Sequence, residues 1–318
     1  MTAPMTPGGR WDSMYHAPAL VAEVLHYLHG SRRILDGTLG GGGHSQSLLE
    51  AGASVVAIDR DPAAIAAARE RLAEFEAAGR FTAVLGNFAE IDSLPELAGE
   101  RFAGILLDLG VSSHQLDDVS RGFSFREGAP LDMRMAGGAS DAPDGATLLN
   151  ESEEHELAAI FREYADEPRA FRLAREVVRR RANRPFATSD DLVGAIRGVL
   201  GPRSGPPDFA RLFQAVRIAV NDELAGLAAA LPKLRDRLEP GGTFVAIAYH
   251  SGEDRLVKQA FRDWSQACIC PPRQLQCTCR ARPLGQTLTK KAVSASAEEA
   301  SRNPRSRSAR LRAWRSAE

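Results

Sequence analysis

The chain has 318 residues, 44% hydrophobic and 25% charged, which suits one large or two medium soluble domains. No stretch approaches the ~20 apolar residues that a membrane span needs, and Met1 to His16 lacks an apolar signal core, so the expectation is a cytoplasmic protein with no membrane association. The formal net charge of −1 hides an asymmetry, because from Arg255 onward 14 lysines and arginines face 4 acids while the rest of the chain is acidic. A basic terminal stretch beside an acidic body can touch phosphates without making the protein basic overall, although a solvated tail has the same composition.

Pro18 to His29 has apolar residues at helical spacing, and Arg33 to Asp36 reads as a first strand. That strand stops on Asp36 and breaks into five glycines between Gly37 and Gly43, before a helix from about Ser45. Glycine lacks a Cβ, so such a loop can bring its amides close to a ligand. Ser54 to Asp59 is a second strand, ending on an acid 23 residues after Asp36. At that spacing a nucleotide-binding unit presents a carboxylate to ribose hydroxyls, so the loop is expected to hold an adenosine-containing cofactor. Asp61-Pro62 opens a helix to about Phe75, Phe81 to Leu85 is a third strand, and Ala103 to Asp108 is a fourth without alternation, as for a parallel strand covered on both faces. The series predicts a doubly wound α/β sheet.

The next strand, Thr243 to Tyr249, comes 135 residues after Asp108, preceded by a helical pattern from Asp208 to Leu238 and the turn Glu239-Pro-Gly-Gly242. A crossover needs only about a dozen residues or somewhat more, so the spacing predicts a helical insert at 115–207 between core segments 1–114 and 208–318. Helix starts inside it are expected at Asn150, Pro168 and Thr188. Six arginines between Arg172 and Arg184 read first as a solvated surface and second as an RNA contact. His250 and Ser251 stand at the end of strand five, a helix follows to Trp264, and Thr287 to Val293 and Ala309 to Trp314 are further strand candidates.

Asp36, Asp59 and Asp108 thus fall at the carboxyl ends of strands, where open α/β sheets bind ligands. A dinucleotide dehydrogenase would want a third glycine where His44-Ser45 stands. S-adenosylmethionine fits better, with an acid and open amides near strand one for its amino acid part and Asp59 for its ribose. The motifs Asp36-Gly-Thr-Leu-Gly-Gly-Gly-Gly-His44, Asp59-Arg-Asp-Pro62, Leu107-Asp-Leu-Gly-Val-Ser-Ser113, Gln115-Leu-Asp-Asp118, Arg121-Gly-Phe-Ser-Phe125, Pro130-Leu-Asp-Met-Arg-Met135, Phe213-Gln-Ala-Val-Arg-Ile218 and Asn303-Pro-Arg-Ser-Arg-Ser308 span nearly the whole chain. Together they resemble the RsmH (MraW) family of S-adenosylmethionine-dependent 16S ribosomal RNA cytosine-N4 methyltransferases. The chain departs from that pattern at His114, usually Pro, and at Tyr249-His-Ser-Gly252, usually Phe-His-Ser-Leu.

The resemblance implies a class I, Rossmann-like methyltransferase sheet acting on 16S rRNA within the small ribosomal subunit, and it is compatible with a homodimer. It implies cofactor contacts from Gly42, Gly43 and His44, from Asp59 on the ribose, from Phe88 on the adenine, and from Asp108 and Gln115 near the methionine end. A weakly nucleophilic amine must be oriented and relieved of a proton, with Asp108 or backbone carbonyls as acceptor. Tyr249 and His250 are further catalytic candidates, and Phe123, Phe125 and Tyr249 could stack on the base. Asp132 could line the substrate pocket or simply salt-bridge Arg134. The competing readings are an NAD(P)-dependent oxidoreductase on the same fold and a non-catalytic RNA-binding ribosome factor. Cys268, Cys270, Cys277 and Cys279 form two Cys-x-Cys pairs, which leaves open a zinc site, local disulfides or reduced thiols; one intervening residue is tighter than the usual two to four between paired zinc ligands.

Overall fold

The computed structural model describes residues 10–12, 17–270, 274, 276, 278–280 and 282–318; Cys277 and most of the N-terminal segment lie outside them. The chain forms two compact units, Met1–Gly110 with Leu224–Glu318, and Val111–Glu223.

The first unit begins with α1 (Val21–Tyr27), β1 (Arg33–Asp36), α2 (Gly43–Glu50), β2 (Ser54–Asp59), α3 (Pro62–Arg71), α4 (Ala73–Ala77), β3 (Phe81–Leu85) and β4 (Phe102–Asp108). The second unit holds α5 (Ser113–Asp117), α6 (Gly145–Glu151), α7 (Glu154–Ala165), α8 (Ala170–Arg181), α9 (Ser189–Leu200) and α10 (Pro206–Asn221). Then come α11 (Glu223–Asp236), β5 (Leu238–Ala248), α12 (Ser251–Ser265), β6 (Gly285–Thr287), β7 (Val293–Ser294), α13 (Ala297–Arg302) and β8 (Arg310–Ser316).

The strands form a single sheet in the order β3-β2-β1-β4-β5-β8-β6, with β7 also paired to β8. From β3 to β5 neighbours are parallel, and β8 runs antiparallel to β5, β6 and β7. This is the doubly wound α/β sheet expected from the strand pattern, and its order reverses between β1 and β4. Side chains alternate across it. Ile34, Val55, Leu106 and Val245 enter one buried cluster with Leu20, Leu48 and Leu49, while Leu35, Val56, Ile105, Leu107 and Phe244 enter another with Leu231 and Phe261. Both faces are therefore covered, which is why the strands read as unbroken apolar runs.

Four boundaries differ from the sequence reading. The insert returns after α10 rather than at Pro207, because Phe209, Leu212, Phe213, Ala215 and Val216 pack into the same core as Leu157, Phe161 and Leu173. Asn150 does not start a helix: it lies in the last turn of α6, and its amide brackets the backbone of Phe186, accepting from the N–H and donating to the C=O, each at 2.8 Å. Here Asp144 caps α6 through the Thr147 amide at 2.7 Å. The strand expected over 287–293 is replaced by β6, which ends at Thr287, and β7, which begins at Val293, and β5 starts already at Leu238, with a register shift opposite Phe102 and Gly104.

β8 completes the sheet. Trp314 on it is fully buried among Phe261 and Trp264, its ring 5.2 Å from that of Trp264, and its indole N–H reaches Ser265 at 3.1 Å. Removing a buried indole leaves a cavity as well as losing transfer energy. Trp314→Ala is expected to cost about 3 to 5 kcal/mol, read as a lowered urea midpoint by circular dichroism. A loss under about 1 kcal/mol would mean that β8 is a dispensable edge.

Candidate active site

The glycine loop leaves β1 at the point where the strand order reverses, and both neighbouring strands hold it. The Gly37 amide donates to Leu106 of β4 and the Leu39 amide to Ile58 of β2, each at 2.9 Å. A Cβ on Gly37 would lie 2.5 Å from Leu107 Cδ2, so only glycine lets the chain turn against the sheet there. Gly42 has φ of 75° and forms the N-cap of α2 in a left-handed conformation. No side chain caps α2, and the first amides of a helix have no intrahelical acceptor. Gly43, His44 and Ser45 therefore present N–H groups to whatever sits beyond the strand ends.

Two acids brace this loop. Asp36 is fully buried; its oxygens accept from the Thr38 amide at 3.1 Å and the Ser45 hydroxyl at 2.8 Å, and burial pushes its carboxyl above the ordinary value. It is a brace, and the acid expected to meet an amino acid ligand at strand one is turned inward. Asp59 accepts from Gly40 at 2.8 Å and Asp61 at 2.9 Å, and burial raises its pKa to about 6. Each carboxylate oxygen can accept more than one hydrogen bond, so Asp59 retains capacity for a vicinal diol.

Asp108 ends β4. Its amide donates to Thr38 Oγ1 at 2.6 Å, the Tyr249 hydroxyl donates to its Oδ1 at 2.9 Å, and His44 Nε2 lies 3.4 Å from its Oδ2. His44 is buried, and neither ring nitrogen makes a hydrogen bond among the described residues. Burial, followed by the charge of Asp108, keeps the Tyr249 phenol well above its ordinary pKa. Tyr249 therefore remains a neutral O–H donor and holds Asp108 in place. Phe88 follows β3 and is half-buried, its Cβ 3.4 Å from where a Gly37 Cβ would stand. His250 is the N-cap of α12; its ring nitrogen is 3.2 Å from Glu253, whose carboxylate also accepts from the Tyr249 amide at 2.9 Å.

The structure thus brings Gly42, Gly43, His44, Asp59, Phe88, Asp108 and Tyr249 together within the first unit, with His250 directed to Glu253. Gln115 belongs to the second unit. There it forms a capping box with Ser112 and donates to the Met135 carbonyl at 3.2 Å. Also there, Asp132 grips Arg134 through two contacts of 2.8 Å, which lowers its carboxyl pKa. Phe123 is buried, and Phe125 is partly exposed, edge-on to Phe209 and Phe213. The sequence reading missed three supports. Thr38 lies inside the glycine motif and Ser45 directly after it, and both could have been found from their hydroxyls. Arg71, which donates to Gly41 at 3.0 Å and to Gln46 at 2.6 Å, gives no local signal.

A sequence model of the MraW methylase family matches residues 13–317. The chain belongs to that family. It is 64% identical over 311 residues to "Ribosomal RNA small subunit methyltransferase H" of Gemmatimonas aurantiaca, covering 98% of each chain. A relative of the same name from Anaeromyxobacter dehalogenans is 48% identical over 304 residues, covering 94% of this chain and 96% of its own. Among solved structures, a ribosomal RNA methylase from Streptococcus thermophilus is similar over 94% of each chain at 10% identity and a TM-score of 0.41, too distant to carry an argument. Membership in this family sets aside the oxidoreductase reading, and among the described residues no helix is long and apolar enough to cross a membrane.

Because Asp59 titrates near 6, it loses its charge, and with it acceptor strength, as pH falls. S-adenosylmethionine affinity is expected to drop about tenfold from pH 7 to pH 5, following the ionised fraction. Asp59→Ala should weaken binding by ~1 to 3 kcal/mol, and Asp59→Asn should remove the pH dependence. Titration calorimetry across that range is the measurement; an affinity that ignores both pH and substitution would detach Asp59 from the cofactor.

Proposed function

We propose that this chain methylates the exocyclic N4 amine of a cytidine in the decoding region of 16S rRNA, in the small ribosomal subunit, with S-adenosylmethionine as methyl donor. We place this activity in the cytoplasm, and the family resemblance adds the expectation of a homodimer. Membership in a methylase family and the printed names of its relatives support the reaction class and the ribosomal RNA substrate. The observation that carries the site is the group formed by uncapped α2, buried His44 and the two acids Asp59 and Asp108 around one loop. These residues fit the cofactor: the α2 amides suit a carboxylate, Asp59 suits the ribose, and the half-buried Phe88 offers a ring face for the adenine.

When bound, S-adenosylmethionine supplies a methyl group on a positively charged sulfur. The protein's part is positioning and charge. Asp108, held by Tyr249 and by the Thr38 hydroxyl, offers an anionic acceptor for an amine N–H at the end of β4. Alignment of two reactants can supply ~7 to 11 kcal/mol of the barrier. The Tyr249 proton is committed to Asp108, so Tyr249 acts as a positioning residue.

Labelled methyl should enter small-subunit particles that lack the modification and be recovered as N4-methylcytidine; label in any other nucleoside would overturn the substrate assignment. Tyr249→Phe keeps the ring and loses the hydrogen bond, so kcat should fall about tenfold, roughly 1.4 kcal/mol, with cofactor affinity nearly unchanged. Asp108→Ala should lower kcat further; equal losses in turnover and cofactor affinity would instead make it a cofactor ligand.

For the RNA, Lys258, Lys290, Lys291, Arg310 and Arg312 line a cleft of about 360 Å³. Asp254 pairs with Arg312 at 2.7 Å and approaches Arg310 at 3.8 Å, while among the described residues no acid pairs with the three lysines. Cutting at Lys290 would delete β8, so charge reversal is the sound test. Replacing Lys258, Lys290 and Lys291 by Glu should weaken rRNA binding and flatten the slope of log affinity against log salt by about 3. An unchanged slope would show that the cleft does not meet phosphates.

A further inference from the structure

Between α12 and β6 the chain runs from Gln266 to Leu284, with neither helix nor strand among the described residues. Loops of that length inside a compact unit are uncommon without a local anchor. The ends of this one are tied together: the Leu284 amide donates to Trp264 at 2.8 Å, and the Arg280 guanidinium donates to the carbonyls of Asp263, Gln266 and Arg282. Near its start, Ile269 is 50% exposed.

What converges there is sulfur. The thiols of Cys268, Cys270 and Cys279 lie within 4.8 Å of one another, although Cys279 is nine residues beyond Cys270, and among the described residues none of the three is in a disulfide. The backbone is organised around them. The Ile269 amide donates to Cys279 Sγ at 3.4 Å, and the amides of Thr278 and Cys279 donate to the Cys270 sulfur. Three sulfurs brought this close from two turns of the chain make a set of soft ligand atoms of the kind that zinc takes.

We propose that Cys268, Cys270 and Cys279 bind a structural zinc ion that fixes this loop. Zinc–sulfur bonds of about 2.3 Å in tetrahedral geometry put sulfurs about 3.8 Å apart, within the separation found. One intervening residue is a tight spacing, yet residues i and i+2 of an extended chain share a face, so Cys268 and Cys270 can reach the same ion. Cys277, the fourth cysteine of the two pairs, lies outside the described residues. The ion would close a loop distant in sequence from the glycine loop, so its role is to hold chain, independent of the methyl-transfer reading.

The full chain, purified under reducing conditions without chelator, should carry about one zinc per chain by elemental analysis. After the zinc is removed, cobalt(II) should restore one metal per chain with sulfur-to-cobalt charge-transfer absorption, and Cys270→Ser should abolish both. If the serine variant does not fold, the cobalt spectrum of the unaltered chain decides alone, since that band requires thiolate ligands. Less than about a tenth of a zinc per chain with no cobalt band would overturn the proposal. So would full zinc retention in a folded Cys268→Ser, Cys270→Ser, Cys279→Ser variant, or disulfides in place of titratable thiols.

Discussion

A buried carboxylate at the end of the first strand holds the glycine loop in shape. Burying Asp36 is unfavourable for its charge, and the Thr38 amide and Ser45 hydroxyl offset that cost. The same two bonds fix where the loop begins and where α2 is entered. Asp59 takes a third point of the loop through Gly40, and backbone bonds to Leu106 and Ile58 tie it to the strands on either side. The run of glycines is held in one shape because the ends of three strands grip it, with Arg71 of α3 adding a bond to Gly41. The uncapped α2 amides are useful only because their direction is fixed.

Asp108 depends on the register between β4 and β5. Asp108 pairs with Ile247, which brings the end of β5 beside the end of β4, so that the phenol two residues past Ile247 meets the carboxylate. β8 on the far side of β5 fixes that strand in turn, with Trp314 buried beneath α12. The antiparallel addition therefore acts on the site through β5. His44 approaches the other oxygen of Asp108 from α2, so one carboxylate joins α2 to the end of β5.

Charge is distributed differently from the impression given by counting. The arginine-rich helix α8 is largely occupied with its own unit: Arg179 and Arg180 hold Glu176 at 2.7 Å, and Arg181 donates to the carbonyls of Leu149 and Ser152. The hydrogen bond from Arg179, foremost, keeps Glu176 ionised down to about 2. Exposed pairs of this kind contribute little to stability, but they remove cations from the supply available to a polyanion. Among the described residues the lysines of the cleft near β7 and β8 are not matched in that way, so position within the fold, more than the number of basic residues, decides which cations remain available.

The sequence by itself determined the parallel strands, the acids that end them, the glycine loop and the presence of an insert. These are local: an apolar run with no alternation needs cover on both faces, and a strand that stops in glycines leaves few other conformations. It also carried the family resemblance, since the motifs lie in order along the chain. Only the tertiary structure decided that Asp36 faces inward, that Tyr249 donates to Asp108, that α10 belongs with the insert, and that Arg71 supports the loop from 30 residues beyond Gly41. Each of these depends on which neighbour lies across a strand or helix. That choice is made by packing between segments distant in sequence, where a carboxylate or guanidinium has many equivalent partners until the backbone is placed.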